Sequence, residues 1–360
     1  MPALDAAQGP VLLLKRMNLE YDDEEQSLLS QFEQIVADIG AGRLQQRSGP
    51  DDSWSRLVSA GWSELGSEIE RGALPLGLAV GIFRCAGRQL LVEQFLSSAY
   101  LLSALMAHAK SEVPGQRAQE ALRARPGVLL GDSRDKAVPV VAARAAEGYC
   151  FGASSNVDVY SLTRSDQGRY TLLRWRAARP SVEFLPKSAL STARVRISPA
   201  TDGWDRCELD LTDQDLDRIS TSALLLHSAA LLGCAQRLLE VTVEFVKTRH
   251  QFGVPVGSFQ AVKHGLADVA TATTVSWNAI LTASARGADP VIAPLVARYL
   301  TVDAALLSAR SGAQFHGGIG FTAELNVHLF LRTILEGAQR FGSHDDFATA
   351  IGRAAVEKTC

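Results

Sequence analysis

Thr248-Arg249-His250-Gln251-Phe252-Gly253, then Phe259-Gln260 and His264, then Gln314-Phe315-His316-Gly317-Gly318-Ile319-Gly320-Phe321: the reading of this chain turns on these stretches. The first closes an amphipathic pattern, in which Leu231, Ala235, Leu238, Thr242, Phe245 and Val246 recur at helical spacing. Arg249 offers a planar fork of N–H donors suited to phosphate oxygens. Gly317, Gly318 and Gly320 carry no side chain, so backbone N–H groups can approach a ligand closely. A dinucleotide pyrophosphate needs both kinds of group. Each block also has an ordinary interpretation. Arg249 and His250 could complement the negative end of a helix stopped by Gly253, and Gly317-Gly318 could be a plain turn. His264 and His316 read as core or capping histidines rather than catalysts.

Outward from these blocks the chain divides in three. Residues 1–122 read as helical, with Leu28, Leu29, Phe32, Ile35 and Val36 on one face and Gly40-Ala41-Gly42 as the stop. Further helices are expected over Ser53 to Ser59, Leu76 to Cys85 and Leu90 to His108. Residues 123–211 read as a small β-domain, with strands over Val138 to Ala142, Val157 to Leu162, Tyr170 to Trp175, Val182 to Leu185 and Arg194 to Ile197. Asp166-Gln167-Gly168 looks like a hairpin turn. Residues 212–360 return to helix: one long helix ending near Gly253, then Phe259 to Arg286, Val291 to Gln314 and Leu325 to Arg340. Asp215 and Asp217 read as acids at a helix N-terminus.

Composition narrows the function classes. With 36 basic and 39 acidic residues and a formal charge of -3, the chain has no basic footprint for nucleic acid. Its apolar runs, such as Leu74 to Phe83, are shorter than the roughly 18 residues of a membrane span. Val11 to Leu14 is too short for a signal-peptide core, so a cytoplasmic location is expected. Five cysteines (Cys85, Cys150, Cys207, Cys234, Cys360) lack the paired spacing of a metal site and read as buried or incidental thiols.

The two glycine-bearing blocks, with the Gln260 and His264 spacing, resemble the flavin-binding C-terminal domain of the acyl-CoA dehydrogenase family. The order of helices, small β-domain and helical bundle is also that family's. The resemblance implies an α+β fold with an N-terminal helical domain, a middle β-domain and a C-terminal four-helix bundle. It further implies that Arg249, Gln251, Phe252, Phe259, Gln260, Gln314, Gly317 and Gly318 hold the ADP part of FAD across a subunit interface.

What the family also needs is a base. Acyl-CoA dehydrogenation removes a proton from the carbon α to a thioester while hydride leaves the β carbon, and a positioned carboxylate usually takes that proton. The family places it in one of two regions. Counting from Gly317 and Arg332, the first aligns with Arg340-Phe341-Gly342-Ser343, so Phe341 holds the glutamate's place. The second, early in the long helix and before the glycine matched by Gly233, lands on Ala223, with Leu224 beside it. Neither side chain accepts a proton. Glu336, in Leu335-Glu336-Gly337-Ala338, would serve only if more than a helical turn were removed ahead of it. The Thr-Glu-Pro…Gly-Ser-Asp segment that holds the flavin ring in the family is also missing from Val138 to Ser165, where Gly152-Ala153-Ser154-Ser155-Asn156 is the closest remnant. The resemblance therefore narrows to the short subunit, lacking the catalytic glutamate, of heteromeric α2β2 bacterial acyl-CoA dehydrogenases. That implies a chain inactive alone, a FAD shared with a homologous partner carrying the base, and no metal. The alternative is a self-sufficient homo-oligomeric dehydrogenase or oxidase-like flavoenzyme using Glu336 or another acid.

Overall fold

The computed structural model describes residues 21–45, 53–92, 95–110, 127–130, 147–151, 159–165, 167–175, 182–184, 192–197, 205–322 and 324–359. Helices come first: α1 (Asp23–Gln45), α2 (Ser53–Ser59), α3 (Leu65–Glu70) and α4 (Leu76–Arg88). α1 runs on through Gly40-Ala41-Gly42 instead of stopping there. A Cβ at Gly40 would run into the side chain of Gln89, so this glycine serves close packing rather than termination. The apolar run Leu90 to His108 is not one α-helix either. Leu90 takes a φ of 61°, in the left-handed region, and the chain re-forms as a buried π-helix over Phe95–Leu102 followed by an α-helical turn, Ser103–Met106. Phe95 meets Phe32 and Phe83 edge to face at 5.5 and 5.7 Å, pairs worth about 0.5–1.5 kcal/mol each beyond area burial.

Seven strands follow: β1 (Gly127–Leu130), β2 (Glu147–Phe151), β3 (Val159–Arg164), β4 (Tyr170–Trp175), β5 (Val182–Phe184), β6 (Thr192–Ile197) and β7 (Asp205–Leu209). They form one sheet in the order β5-β6-β2-β1-β3-β4-β7, antiparallel except for the parallel pair β1–β3. β3 and β4 pair from Val159↔Trp175 to Arg164↔Tyr170, and Gly168 at a φ of 77° helps close the expected hairpin. β1, β2 and β7 are strands that the sequence pattern did not reveal. The expected strand over Val138 to Ala142 lies outside the described residues, as do Gly152 to Asn156 and Asp166. The sheet is tied to the helices by backbone: Asp210 N–H donates to the His108 carbonyl at 2.7 Å, and Lys110 N–H to Glu208 at 3.0 Å.

α5 (Asp213–Thr248) then runs through the centre of the molecule. Its start is set by a capping box: Thr212 Oγ1 accepts from the Asp215 N–H at 3.1 Å, and Asp215 accepts from the Thr212 N–H at 3.1 Å. The Thr212 hydroxyl bond, aided by Arg218, draws the Asp215 carboxyl down to about 2, so this acid is a cap, as its sequence position suggests. α6 (Gln260–Ser284), α7 (Ile292–His316), α8 (Val327–Ala338) and α9 (His344–Thr359) complete the bundle. α9 is an addition to the helices expected from sequence. α4 and α5 cross at glycines: a Cβ at Gly87 would overlap the Ala230 carbonyl, and one at Gly233 the Arg84 carbonyl. Arg88 straps the same crossing with a two-point ion pair to Glu240 at 2.7 and 3.0 Å.

By length and composition, Asp213–Thr248 and Ile292–Phe321 could each cross a membrane, but most of the apolar stretch of the first is buried among its neighbours. Cys85 and Cys234 are buried and Cys207 is half-buried, none of them in a disulfide among the described residues.

Candidate functional site

α5 ends at Thr248, and Arg249 is its C-cap, with extended backbone (φ -76°, ψ 122°). The chain does not stop on Gly253 as a helix terminator. His250–Gln251 and Val254–Pro255 pair as strands β8 and β9, and Phe252 (φ 53°) and Gly253 (φ 79°) form the two-residue turn between them. Two successive positive φ values are the type I′ pattern that a tight hairpin demands. Glycine meets that demand freely. A phenylalanine there is strained by about 1–2 kcal/mol, and its ring is 92% exposed.

The hairpin is held to the bundle from two sides. Val256 N–H donates to the Arg249 carbonyl at 2.7 Å, and the Phe252 and Phe259 rings meet edge to face at 6.4 Å. One turn before Arg249, Phe245 stacks on His316 at 4.4 Å, which brings the end of α7 beside the end of α5. A Cβ at Gly265 would come within 2.9 Å of the Phe315 ring, so the first turns of α6 lie against the same place. The eight residues singled out from sequence (Arg249, Gln251, Phe252, Phe259, Gln260, Gln314, Gly317, Gly318) thus gather at one end of the bundle, all of them exposed. Among the described residues Arg249 makes no side-chain hydrogen bond or ion pair. α6 begins behind Phe259 with no side-chain cap, leaving its first N–H groups open.

The two glycines differ in what they require. Gly317, at φ 60° and ψ -147°, sits in a region essentially reserved for glycine. Gly318 has no such φ, and a Cβ there would meet nothing within 4 Å. Nothing among the described residues calls for a glycine at 318. A molecule from outside that lies against the backbone would. The ADP arm of a dinucleotide fits this donor set: an unpaired guanidinium, an uncapped helix start and an open backbone. Val254, Ile319 and Phe321 add apolar surface at the same end. His316 is a core histidine as expected, buried and bonded through Nδ1 to the Gly312 carbonyl at 2.9 Å. His264, by contrast, is exposed on α6.

The two base positions also converge. Ala223 is 1% exposed on α5, and His227 lies one turn further along. The Phe341 ring meets His227 edge to face at 5.0 Å, and Leu224 packs in one apolar cluster with Phe341 and Phe347. The group that dominates this place is a cation. Arg298 of α7, fully buried, donates Nη2 to the carbonyls of Gly337 (2.7 Å) and Arg340 (2.8 Å) at the end of α8, and its Nη1 contacts His227 Nδ1 at 3.1 Å. It has no carboxylate partner among the described residues. The last carbonyls of α8 and the negative end of that helix take the carboxylate's place. Burial and the nearby Arg340 lower the Arg298 pKa to about 9, still charged at neutral pH. Burial, then Arg298 and Arg340, push His227 well below the usual histidine range, so it is neutral. With Nδ1 accepting from Arg298, the proton of the neutral ring is on Nε2.

Sequence reasoning missed Arg298. Its helical neighbours at three and four residues' spacing are Pro294, Leu295, Thr301 and Val302, none acidic. An arginine on an apolar face without a helical partner was the signal available. Glu336, the rival base, is 3.8 Å from Arg332 one turn back on α8, an ion pair along the helix. Phe341 stands at a φ of 69°, and Ser343 caps α9 through a reciprocal pair of bonds with Asp346 (2.8 and 3.2 Å). The segment expected to hold a flavin ring lies largely outside the described residues.

The chain is similar to known proteins in its C-terminal sequence and in its fold. Residues 223–344 match the family described as acyl-CoA dehydrogenase, C-terminal domain. The acyl-CoA dehydrogenase IpdE2 of Mycobacterium tuberculosis is 38% identical over 121 residues, covering 34% of this chain and 37% of that protein. The matched stretch is thus little more than a third of that relative's length. Among solved structures, the ChsE4-ChsE5 complex from Mycobacterium tuberculosis is similar with a TM-score of 0.75 at 21% identity, over 94% of this chain and 99% of that one. PigA with FAD and proline is similar with a TM-score of 0.73 at 14% identity, over 93% of this chain and 98% of that one. The fold is acyl-CoA dehydrogenase-like, and residues 223–344 are similar to that family's C-terminal domain.

Proposed function

We propose that this chain is the non-catalytic subunit of a flavin-dependent acyl-CoA dehydrogenase, lending the ADP-holding half of a FAD site to a homologous partner in an α2β2 assembly. One observation carries the proposal. The two positions at which the resemblance implies a base hold Phe341 and Ala223, near a buried guanidinium, while the end that gathers Arg249, Gly317 and Gly318 is exposed. FAD supplies hydride acceptance when bound; this chain's part is to hold its ADP arm. Arg249 would pair with the pyrophosphate, Gln251, Gln260 and Gln314 would bond the polar edges, and Phe252 and Phe259 would cover the apolar face. Gly317 and Gly318 would let the backbone approach. The partner would bring the ring-binding segment, the base and most of the acyl pocket. The similarity of this fold to a chain of the ChsE4-ChsE5 complex supports the pairing.

The test is co-expression with the nearest homologous gene for an acyl-CoA dehydrogenase, followed by FAD content and acyl-CoA oxidation. The chain alone should hold little flavin and turn nothing over, and the pair should do both. Within the active pair, Glu336→Gln should leave the rate unchanged. A drop on the order of a hundredfold would make Glu336 the base and the chain a self-sufficient enzyme.

A further inference from the structure

We infer that His316 is the positioning residue of the exposed end that gathers Arg249, Gly317 and Gly318. Its neutral ring, stacked on α5, holds the diglycine turn in place; acid charges the ring, frees the turn and releases flavin. The release of flavin rests on the subunit role proposed above, and the hold on the turn does not. His316 is the last residue of α7, only 5% exposed, and Gly317 and Gly318 follow it directly. Its ring stacks on Phe245 of α5, with centroids 4.4 Å and planes 23° apart. The Phe245 carbonyl in turn accepts the Arg249 N–H at 2.9 Å. The turn folds back on the same histidine, since a Cβ at Gly320 would come within 2.8 Å of the His316 Cβ. One side chain thus links the diglycine to the helix end that carries Arg249.

The site suits the ring only while it is uncharged. Nδ1 lies 2.9 Å from the Gly312 carbonyl, which can only accept, so Nδ1 carries the proton of the neutral ring. Nε2 is then a bare lone pair, buried and without a partner among the described residues. A second proton there would be a buried donor without an acceptor and a buried charge without a counter-ion, both costly. The charged groups on the elements packed around it do not answer that charge. Glu244 and Lys247 of α5 pair with each other at 2.8 Å, and His328 of α8 is taken up by the Leu325 carbonyl at 3.0 Å. Arg249, Arg310 of α7, and Lys263, His264 and Asp268 of α6 are exposed. Burial holds His316 below the usual histidine range, against a smaller opposing effect of the Gly312 bond. A freed His316 takes up its proton below about pH 6.5 and the held one does not. The held turn is therefore favoured above that pH and loses ground as pH falls, by up to about tenfold per unit.

The test reads the turn and the flavin separately between about pH 7.5 and about pH 5.5, a range that spans histidine titration. Hydrogen exchange, corrected for intrinsic rates, follows the amides of Gly317–Phe321 in the full chain alone, and FAD retention is measured on the co-expressed pair. Protection of the turn should fall as pH falls, and FAD retention should fall with it. His316→Phe keeps a ring on Phe245 but has no proton to gain, so its turn and its flavin should be indifferent to pH. His250→Gln and His264→Gln, changes at the two exposed histidines of the same end, should respond to pH as the wild type does. His316→Ala should loosen the turn at every pH. Should His316→Phe fail to fold, NMR of the wild-type chain decides: the amide shifts of the turn must follow the ring titration of His316 and not that of His250 or His264. Protection that does not change with pH, or that changes equally in His316→Phe, would overturn the inference. A turn that responds as expected in a pair that holds no FAD at any pH would uphold the role of His316 and contradict the subunit role.

Discussion

The two ends of α7 handle their polar groups in opposite ways. At its start, Arg298 is sealed from water and bonded within the chain through both Nη atoms, to His227 and the carbonyls of Gly337 and Arg340, with Nε lacking a partner among the described residues. At its finish, Gln314, Gly317 and Gly318 are exposed beside an unpaired Arg249 and a strained, exposed Phe252. A sealed end serves the fold. An open end with strain stored in it serves something that is not in the chain.

Arg298→Met should strike the sealed end hardest. It leaves two buried carbonyls and the His227 ring without their donor, costing about 2–4 kcal/mol in urea unfolding of the isolated chain. Flavin retention by the folded pair should not change; if it did, the two ends would be coupled. Arg249→Ala should do the reverse, leaving the unfolding midpoint alone and weakening flavin retention in the pair by about 1.5–3 kcal/mol, the loss of one charge-assisted phosphate contact.

The sealed end should also make stability depend on pH. His227 is neutral in the fold, its pKa lowered mainly by burial, whereas the unfolded chain takes up that proton below about pH 6.5. The unfolded state then binds more protons, so the stability present above that pH is lost as pH falls, by about 1.4 kcal/mol per unit. His227→Phe should reduce this slope in melts between pH 6.5 and 5, leaving the share of His316, whose pKa burial also lowers. Asp215, with a native pKa near 2, acts only at lower pH. The smallest effect belongs to Phe252→Gly. Relief of the left-handed strain, less the extra entropy of glycine, should stabilise the isolated chain by about 0.5–1 kcal/mol. In the pair the same change should cost flavin. Loss of stability in the isolated chain would mean the ring serves the fold after all.

The open end was legible in the sequence because its signals are local. A helical stripe, an arginine after it and a diglycine are all read along the chain, and the structure brings them together. Its hairpin was not legible, since Phe252 at a positive φ defies the preference that Gly253 obeys. The positions at which the resemblance implies a base could be counted from Gly317 and Gly233, but the buried cation beside them could not. Arg298 takes its partners from α5 and α8, far away in sequence, and backbone carbonyls leave no trace in residue identity. The same holds for Gly40, which reads as a stop and serves as a contact surface against Gln89. Strands β1, β2 and β7 are short and carry charge or glycine, so alternation alone did not mark them.

The central claim is that this chain holds half of a flavin site. The most direct measurement is FAD content after gel filtration, by absorbance and protein assay, for the chain alone and for the co-expressed pair. The chain alone should be nearly colourless, and the pair yellow with one FAD per heterodimer. A lone chain that retains one FAD and oxidises an acyl-CoA would contradict it.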